Sequence, residues 1–445
     1  MSKKISRRRK AIIRRRIFLS CTALVLVAVI SLSVFIIHSI TSVGDKKPSS
    51  EKGDGSTSSK EEVVIKEQFA TVLSTGDIMV HSAQLNGAYV SDTKNYDFSA
   101  FFKEASAYYQ KADLAVGNLE TTFAGGDRKY SGSPSSFNTP DSLADAIKAA
   151  GINFLLTSNN HSNDTGLNGI KRTVQVLKER GFEFIGTRET NTEQIYTVKD
   201  VNGIKIGMAN YTYETAGNKE GRKYLNGTLL AEEANDLVAS FDYNKIDAFY
   251  ADAEAVIADM KQNGAEFIVF YLHWGNEYKT SPNTWQKSIA QKLSNLGVDM
   301  IIGSHPHVVQ PIELIRAEGG EHTTVCLYSS GNAVSNQRKE IMVTTCTTGH
   351  TEDGTLFTYT LRKYGDEVTL TDVDIVPTWV NKYKGGNGYL YTIYPMESAD
   401  WGSTKYAFDS ATAERAAKSY ERTKEIVAAG LTEIQKFIGC DVTFE

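Results

Sequence analysis

Cysteine is scarce in this chain: four residues among 445, namely Cys21, Cys326, Cys346 and Cys440. That is too few for a disulfide scaffold, so the fold must rest on a packed core. Cys21 lies in an apolar N-terminal run, which leaves at most one bridge elsewhere. Cys326 and Cys346 fall in expected strands, where unpaired buried thiols are favoured over a bridge. Basic charge is also short beyond the first residues. The formal net charge is -5, but residues 1–16 hold nine Lys or Arg and no acid, leaving 39 basic against 53 acidic residues, a net of -14. No nucleic-acid-binding face is therefore expected on the main body. No repeat of fixed period is visible either. What remains is ordinary folded protein, 41% hydrophobic and 23% charged, long enough for one large or two ordinary domains.

One long apolar run is present. After the basic cluster of residues 1–16, residues 17–40 carry no charge, a length that crosses a bilayer core as a helix. Basic flanks stay on the cytoplasmic side, so a single-pass cell-membrane anchor with the N-terminus inside and the remainder outside is expected. A cleaved signal peptide is the rival reading. The run is longer than such a peptide needs and no small-x-small site closes it, which favours the uncleaved anchor. Residues 41–67 are rich in Ser, Lys, Gly, Asp and Glu and are expected to form a flexible linker.

From Phe69 onward, short β-branched runs alternate with helical periods, the pattern of an α/β domain. Strands are expected over 70–74, 112–116, 152–156, 182–185, 204–211, 266–272, 298–302 and 324–328. Antiparallel strands are expected over 340–347, 355–362 and 367–376. Helices are expected over 141–150, 169–180, 245–262, 284–296 and 411–437, the last amphipathic. Residues 214–242 are polar and irregular, an insertion or lid loop. The main domain is assigned to 68–380, with 381–445 as a C-terminal extension whose helix packs on it.

Five of the expected strands run into residues that bear chemistry. They offer Asp77 with His81, Glu120, Asn160 with His161 and then Asp164, His273, and the pair His305 and His307. Pro306 fixes the backbone between the last two, so their imidazoles could be aimed at one point. In open α/β sheets ligands sit beyond the carboxyl ends of strands, where distant tips converge. Each residue alone has a plainer explanation: Asp77 as a helix cap, Glu120 and Asn160 as turn residues, His273 as a packed core imidazole. The clustering argues otherwise, because six of the eight histidines fall at or just beyond strand tips, His322 only loosely. Carboxylates, an amide oxygen and imidazoles together suit Zn, Mn or Fe better than Ca or Mg. A carboxylate such as Glu120 could bridge two divalent ions, and His161 would be placed to protonate a leaving group.

These residues carry a resemblance. Gly76-Asp77-Ile78-Met79, Gly117-Asn118-Leu119-Glu120, Ser158-Asn159-Asn160-His161 with Asp164 and Gly166, His273-Trp274-Gly275-Asn276-Glu277-Tyr278, Gly303-Ser304-His305-Pro306-His307-Val308-Val309-Gln310 and Tyr328-Ser329-Ser330-Gly331-Asn332 follow one another in sequence. In that order they resemble the motifs of the CapA family of poly-γ-glutamate capsule synthesis proteins, also called PgsA type. That family is similar to the calcineurin-like metallophosphoesterases. The resemblance implies a four-layer αββα sandwich, with Asp77, Glu120, Asn160, His273, His305 and His307 as metal ligands. It makes His161, with Asp164, the catalytic pair, and His81, Glu277 and Asn332 stand as further candidates. Two departures are visible: His81 lies four positions from Asp77 where the phosphoesterases have D-x-H, and Glu120 replaces an Asp. Also implied is a membrane-anchored extracellular factor acting on an anionic envelope polymer such as poly-γ-glutamate, alongside membrane subunits of a capsule synthase. A metal-dependent hydrolase or transferase and a non-catalytic subunit guiding the polymer are both compatible with it.

Overall fold

A computed structural model describes residues 66–133, 135–217, 219, 221–386 and 388–444. The basic segment, the expected anchor and all but the last residues of the linker lie outside the described residues. Among the described residues no helix is long and apolar enough to cross a membrane. Residues 65–445 make one compact unit.

Two sheets organise that unit. The first has eight strands, running Tyr389–Pro395, Glu367–Lys384, Asp353–Tyr364, Gln68–Ile78, Leu114–Leu119, Phe154–Leu156 and Glu183–Ile185, with Asn332–Val334 added at the tip of Gln68–Ile78. From Gln68–Ile78 to Glu183–Ile185 the strands are parallel, and the three on the other side are antiparallel. The second sheet has seven strands, ordered Ser240–Phe241, Ile204–Tyr213, Phe267–His273, Met300–Ser304, Thr323–Leu327 and Ile312–Arg316, with Tyr196–Val201 paired to Ile204–Tyr213. Its first five are mutually parallel.

Alternation along each strand decides the layers, since successive side chains face opposite sides of a sheet. Val72, Leu114 and Val116 of the first sheet meet Ile206, Met208, Val269 and Ile302 of the second in one core. The intervening residues face outward. Leu73, Ala115 and Leu155 pack on Leu143 and Ile147 of helix Ser142–Ala150 and on Val176 and Leu177 of helix Gly166–Glu179. On the far side Ile268, Phe270 and Leu272 pack against helices Ile246–Gln262 and Thr284–Asn295. Helix layers thus cover both outer faces of a double sheet. Helix Ser410–Ile438 closes the core between the sheets with Val427, Leu431 and Ile434. It starts where the Asp409 carboxylate accepts the Thr412 N–H.

Three expectations change. Residues 340–347 do not form a strand. They turn, with Met342 N–H donating to the Arg338 carbonyl and Cys346 N–H to that of Met342. The β-branched run there finds no sheet edge, and Ile341 and Val343 stay 51% and 64% exposed. The boundary at 380 falls inside strand Glu367–Lys384, to which Tyr389–Pro395 pairs. The irregular stretch over 214–242 has a small core of its own, in which Leu225, Leu230, Leu237 and Val238 pack on Ile170. Cys326, Cys346 and Cys440 are free thiols.

Candidate metal centre

The carboxyl ends of the parallel strands of both sheets meet at one edge. Two glycines make the approach possible. A Cβ on Gly76 would stand 2.0 Å from the Gly331 carbonyl oxygen, so glycine there lets Asn332–Val334 pair beside Asp77. A Cβ on Gly303 would stand 1.9 Å from the Tyr328 carbonyl oxygen and 2.5 Å from the Trp274 indole nitrogen. Beyond Gly303 the backbone is forced: His305 and His307 have φ of 93° and 57°, a region costly for residues with a side chain. The surroundings fix that turn. The Tyr278 N–H donates to the Pro306 carbonyl at 2.8 Å, and the Gln310 amide donates to the Lys279 carbonyl at 2.7 Å.

Three groups of side chains emerge whose ligand atoms lie within 4.8 Å of one another: Asp77, Glu120 and His307; Glu120, His273 and His305; and Glu277, His305 and His307. Glu120 is common to two of them. Asn160 stands beside the second group, its Oδ1 2.8 Å from His273 Nε2. His161 Nδ1 lies 2.8 Å from Asp164 Oδ2, and its Nε2 lies 3.9 Å from Glu120 Oε1. Asn332 Oδ1 lies 3.1 Å from His307 Nδ1, so it orients that ring. His81 is turned elsewhere. Its Nδ1 accepts the Asn336 N–H, and it caps helix Ser82–Ala88 together with Gln84.

Electrostatics show what this cluster needs. Both Glu120 oxygens and His305 Nδ1 are buried without a hydrogen-bond partner. Burial first, then the Asp77 carboxylate, push the Glu120 carboxyl well above the usual carboxylate range. Burial, then the neighbouring imidazoles, hold His273 and His305 well below the ordinary histidine value. At His307 burial opposes the charged form, but the Asp77 carboxylate prevails and the ring is raised. Unpaired lone pairs, neutral imidazoles and crowded carboxylates are a donor set for a divalent cation, and the residues present fit one. His307 Nδ1 is engaged by two acceptors, Asn332 Oδ1 and Asp77 Oδ2, which leaves its Nε2 facing Glu120 Oε1 at 3.8 Å, and His273, held by Ser304 Oγ at Nδ1 and Asn160 Oδ1 at Nε2, places that Nε2 3.6 Å from the same oxygen.

Three residues that support the site went unassigned in the sequence. Asn118 donates to Asp77 Oδ1 at 2.8 Å, Ser304 holds His273, and the Tyr213 ring sits 4.8 Å from that of His305. Asn118 and Ser304 belong to quoted motifs, but their roles come from cross-strand register, Asp77 opposite Asn118 and His273 opposite Ser304.

Comparison with known proteins places these motifs. The chain is 27% identical over 313 residues to the capsule biosynthesis protein CapA of Bacillus anthracis, covering 69% of this chain and 66% of that one. It therefore spans just under two thirds of that relative's length. It is 26% identical to the PGA biosynthesis protein CapA of Bacillus subtilis, covering 69% and 73%. Among solved structures, the calcineurin-like phosphoesterase YfkN from Bacillus subtilis aligns with 81% of this chain and 99% of its own, at 13% identity and a TM-score of 0.36. The family description "bacterial capsule synthesis protein PGA_cap" matches residues 71–337, which include every member of the three groups. The chain belongs to the PGA_cap family of bacterial capsule synthesis proteins.

Proposed function

We propose that this protein is a metal-dependent hydrolase or transferase of capsule biosynthesis, acting on an anionic envelope polymer such as poly-γ-glutamate. The observation that carries the reading is the shared, unpartnered Glu120 between two buried ligand groups. Two divalent ions, drawn from Mn, Fe or Zn, would be held by Asp77, Glu120, Asn160, His273, His305 and His307, on a four-layer scaffold of the metallophosphoesterase kind. When bound, such ions polarise a substrate oxygen and activate water. The chain's own residues do the rest. Asn118 and Ser304 fix Asp77 and His273, and Asp164 holds His161 Nδ1, which aims the His161 Nε2 at Glu120 as the site for proton transfer to a leaving group. Glu120 and His273 are fully buried, so substrate reaches the groups over His305 and the exposed Glu277, which line a cavity of about 500 Å³. The uncharged run over 17–40 supports anchoring in the cell membrane with this body outside.

A second reading is a non-catalytic subunit that guides the polymer in a synthase complex, favoured by the depth at which the groups are sealed. One experiment separates them. Bound metal is measured on the full-length protein, together with turnover of a chromogenic phosphodiester and of poly-γ-glutamate. The expected result is stoichiometric metal, lost in His305→Ala and His307→Ala, with turnover that follows it. No bound Mn, Fe or Zn, with both variants behaving like wild type, ends the metal reading. Bound metal without turnover of either substrate selects the guiding subunit.

A further inference from the structure

A second cavity, of about 350 Å³, adjoins the first: Glu214 and Asp242 line both. Their charge differs. The cavity at the metal groups has Glu214, Asp242 and Glu277 and, among the described residues, no Lys or Arg in its lining, whereas in the second Arg188, Arg222, Lys223 and Lys245 balance Glu214, Asp236, Asp242 and Asp252.

The two arginines are held in an unusual way. Arg188 donates from Nε to the Asp236 carbonyl at 2.5 Å and from Nη1 to the Glu193 carbonyl at 2.7 Å. Arg222 donates from Nη2 to the Leu230 carbonyl at 2.6 Å, and its Nε is buried without an acceptor. Main-chain carbonyls aim a guanidinium without forming an ion pair with it. Among the described residues neither arginine has a carboxylate within ion-pair distance. The acids of the same wall keep their charge but make their contacts with other groups. Glu214 accepts from Ser240 Oγ at 2.9 Å and pairs with Lys223 at 3.7 Å, and Asp252 accepts from the Tyr211 hydroxyl at 2.7 Å. Asp242 accepts the Asn244 N–H at 2.9 Å, and Asp236 contacts Arg188 through its main chain.

A buried guanidinium N–H without an acceptor is costly, and the planar fork of arginine matches the two oxygens of a carboxylate or phosphate. The body as a whole repels anions, with its net of -14 beyond residue 16. A polyanion that reaches the metal groups therefore needs a foothold of aimed basic side chains nearby. We propose that the second cavity is that foothold, a subsite in which Arg188 and Arg222 bind an oxyanion, carboxylate or phosphate, carried by the substrate. The proposal deepens the reading above and rests on it only in taking the bound anion to belong to the reacting polymer.

The test is calorimetric titration of the full-length protein in detergent micelles with poly-γ-glutamate, inorganic phosphate and neutral dextran. Wild type is compared with Arg188→Gln, Arg222→Gln and Lys245→Gln, and bound metal is measured on each. Anion binding without dextran binding is expected, weakened at least tenfold by either arginine variant at unchanged metal content. Tighter binding of poly-γ-glutamate than of phosphate assigns the subsite to carboxylates, and the reverse assigns it to phosphate groups. No anion binding by wild type, or equal affinity in the arginine variants, overturns the proposal. Should either arginine variant melt early, the exposed Lys245→Gln and the charge-preserving Arg222→Lys decide: weakening of threefold or more supports the subsite, and none overturns it. Anion binding by a protein that holds no metal would sink the hydrolase reading alone, and metal without anion binding would sink this subsite alone.

Discussion

Replacing Glu120 by Gln should raise stability without metal and abolish the gain that metal brings. In the metal-free protein both carboxylate oxygens are buried and unpartnered beside Asp77. The side chain is consequently driven toward its neutral form, at a cost to folding. An amide of nearly the same shape makes that neutrality permanent. An unsatisfied buried polar group costs about 1–3 kcal/mol, and more when charged. Relief of part of that cost should lift Tm by about 1 °C per kcal/mol for a body of this size. With metal the order reverses. A cation at 100 times its Kd stabilises the folded wild type by about 2.7 kcal/mol, whereas the variant lacks the carboxylate common to two ligand groups. Differential scanning calorimetry in chelator and then in excess Mn²⁺ reads both effects. A variant less stable than wild type in chelator, or one with the same metal-induced shift, would refute the assignment of Glu120 as a shared ligand.

Other consequences follow from single contacts. His161→Asn should lower turnover by about 10²–10⁴-fold at unchanged metal content; loss of metal instead would make His161 a ligand, and the readout is parallel rate and metal measurement. Arg422 binds the buried Asp353 through Nη2 and Nε at 2.6 and 2.7 Å. Arg422→Ala leaves that acid in the core with only the Ser419 hydroxyl, at 2.6 Å, as a side-chain donor among the described residues, and should cost about 3–5 kcal/mol in urea unfolding. The His81 imidazole is held down to about 4 by burial first, against the ordinary 6.5. Between those values the unfolded chain binds more protons, so this contribution is complete above pH 6.5 and is lost as pH falls toward 4, about 3 kcal/mol in all. In chelator His81→Gln should flatten stability over that window while keeping bound metal when tested with Mn²⁺; an unchanged slope would contradict it.

What the sequence shows of this site follows from sheet physics. In both sheets the parallel strands run toward one edge, so residues just past the apolar runs, Asp77, Glu120, Asn160, His273 and the His305 turn, are brought together although far apart in the chain. What depends on pairing register is invisible beforehand. Asn118 reads as one more strand residue until the Asp77–Asn118 register sets it against the carboxylate, and Ser304 until it lies opposite His273. His81 misleads for a related reason. Four positions beyond Asp77 it appears near enough to share a ligand, but the chain has entered a helix, and its Nδ1 is taken by the Asn336 N–H. The run over 340–347 fails differently: β-branched residues favour strands only where an edge is free to pair. Here Arg338, donating to the Val380 carbonyl at 2.7 Å and pairing with Glu352 at 2.8 Å, pins the chain into turns instead.

The geometry also divides labour among the imidazoles. His161, His273 and His307 each present Nε2 to the same Glu120 oxygen, at 3.9, 3.6 and 3.8 Å, too long for hydrogen bonds. Bonds to Zn of about 2.0–2.2 Å place two ligands of one ion roughly 3–4 Å apart, so the His273 and His307 gaps have the spacing of two ligands on one ion. The rings differ in what lies behind them and in whether they join a ligand group. His273 is backed by a neutral hydroxyl and crowded by other imidazoles, a setting that keeps it uncharged and open to a cation. His161 is backed by the Asp164 carboxylate, which Phe137 N–H fixes at 2.6 Å, and it belongs to none of the three ligand groups. Asp77 stands behind His307 in the same way, 3.2 Å from its Nδ1, so His161 is set apart by lying outside the three ligand groups while its Nε2 faces their shared carboxylate, the position of a group that passes a proton rather than holds a cation.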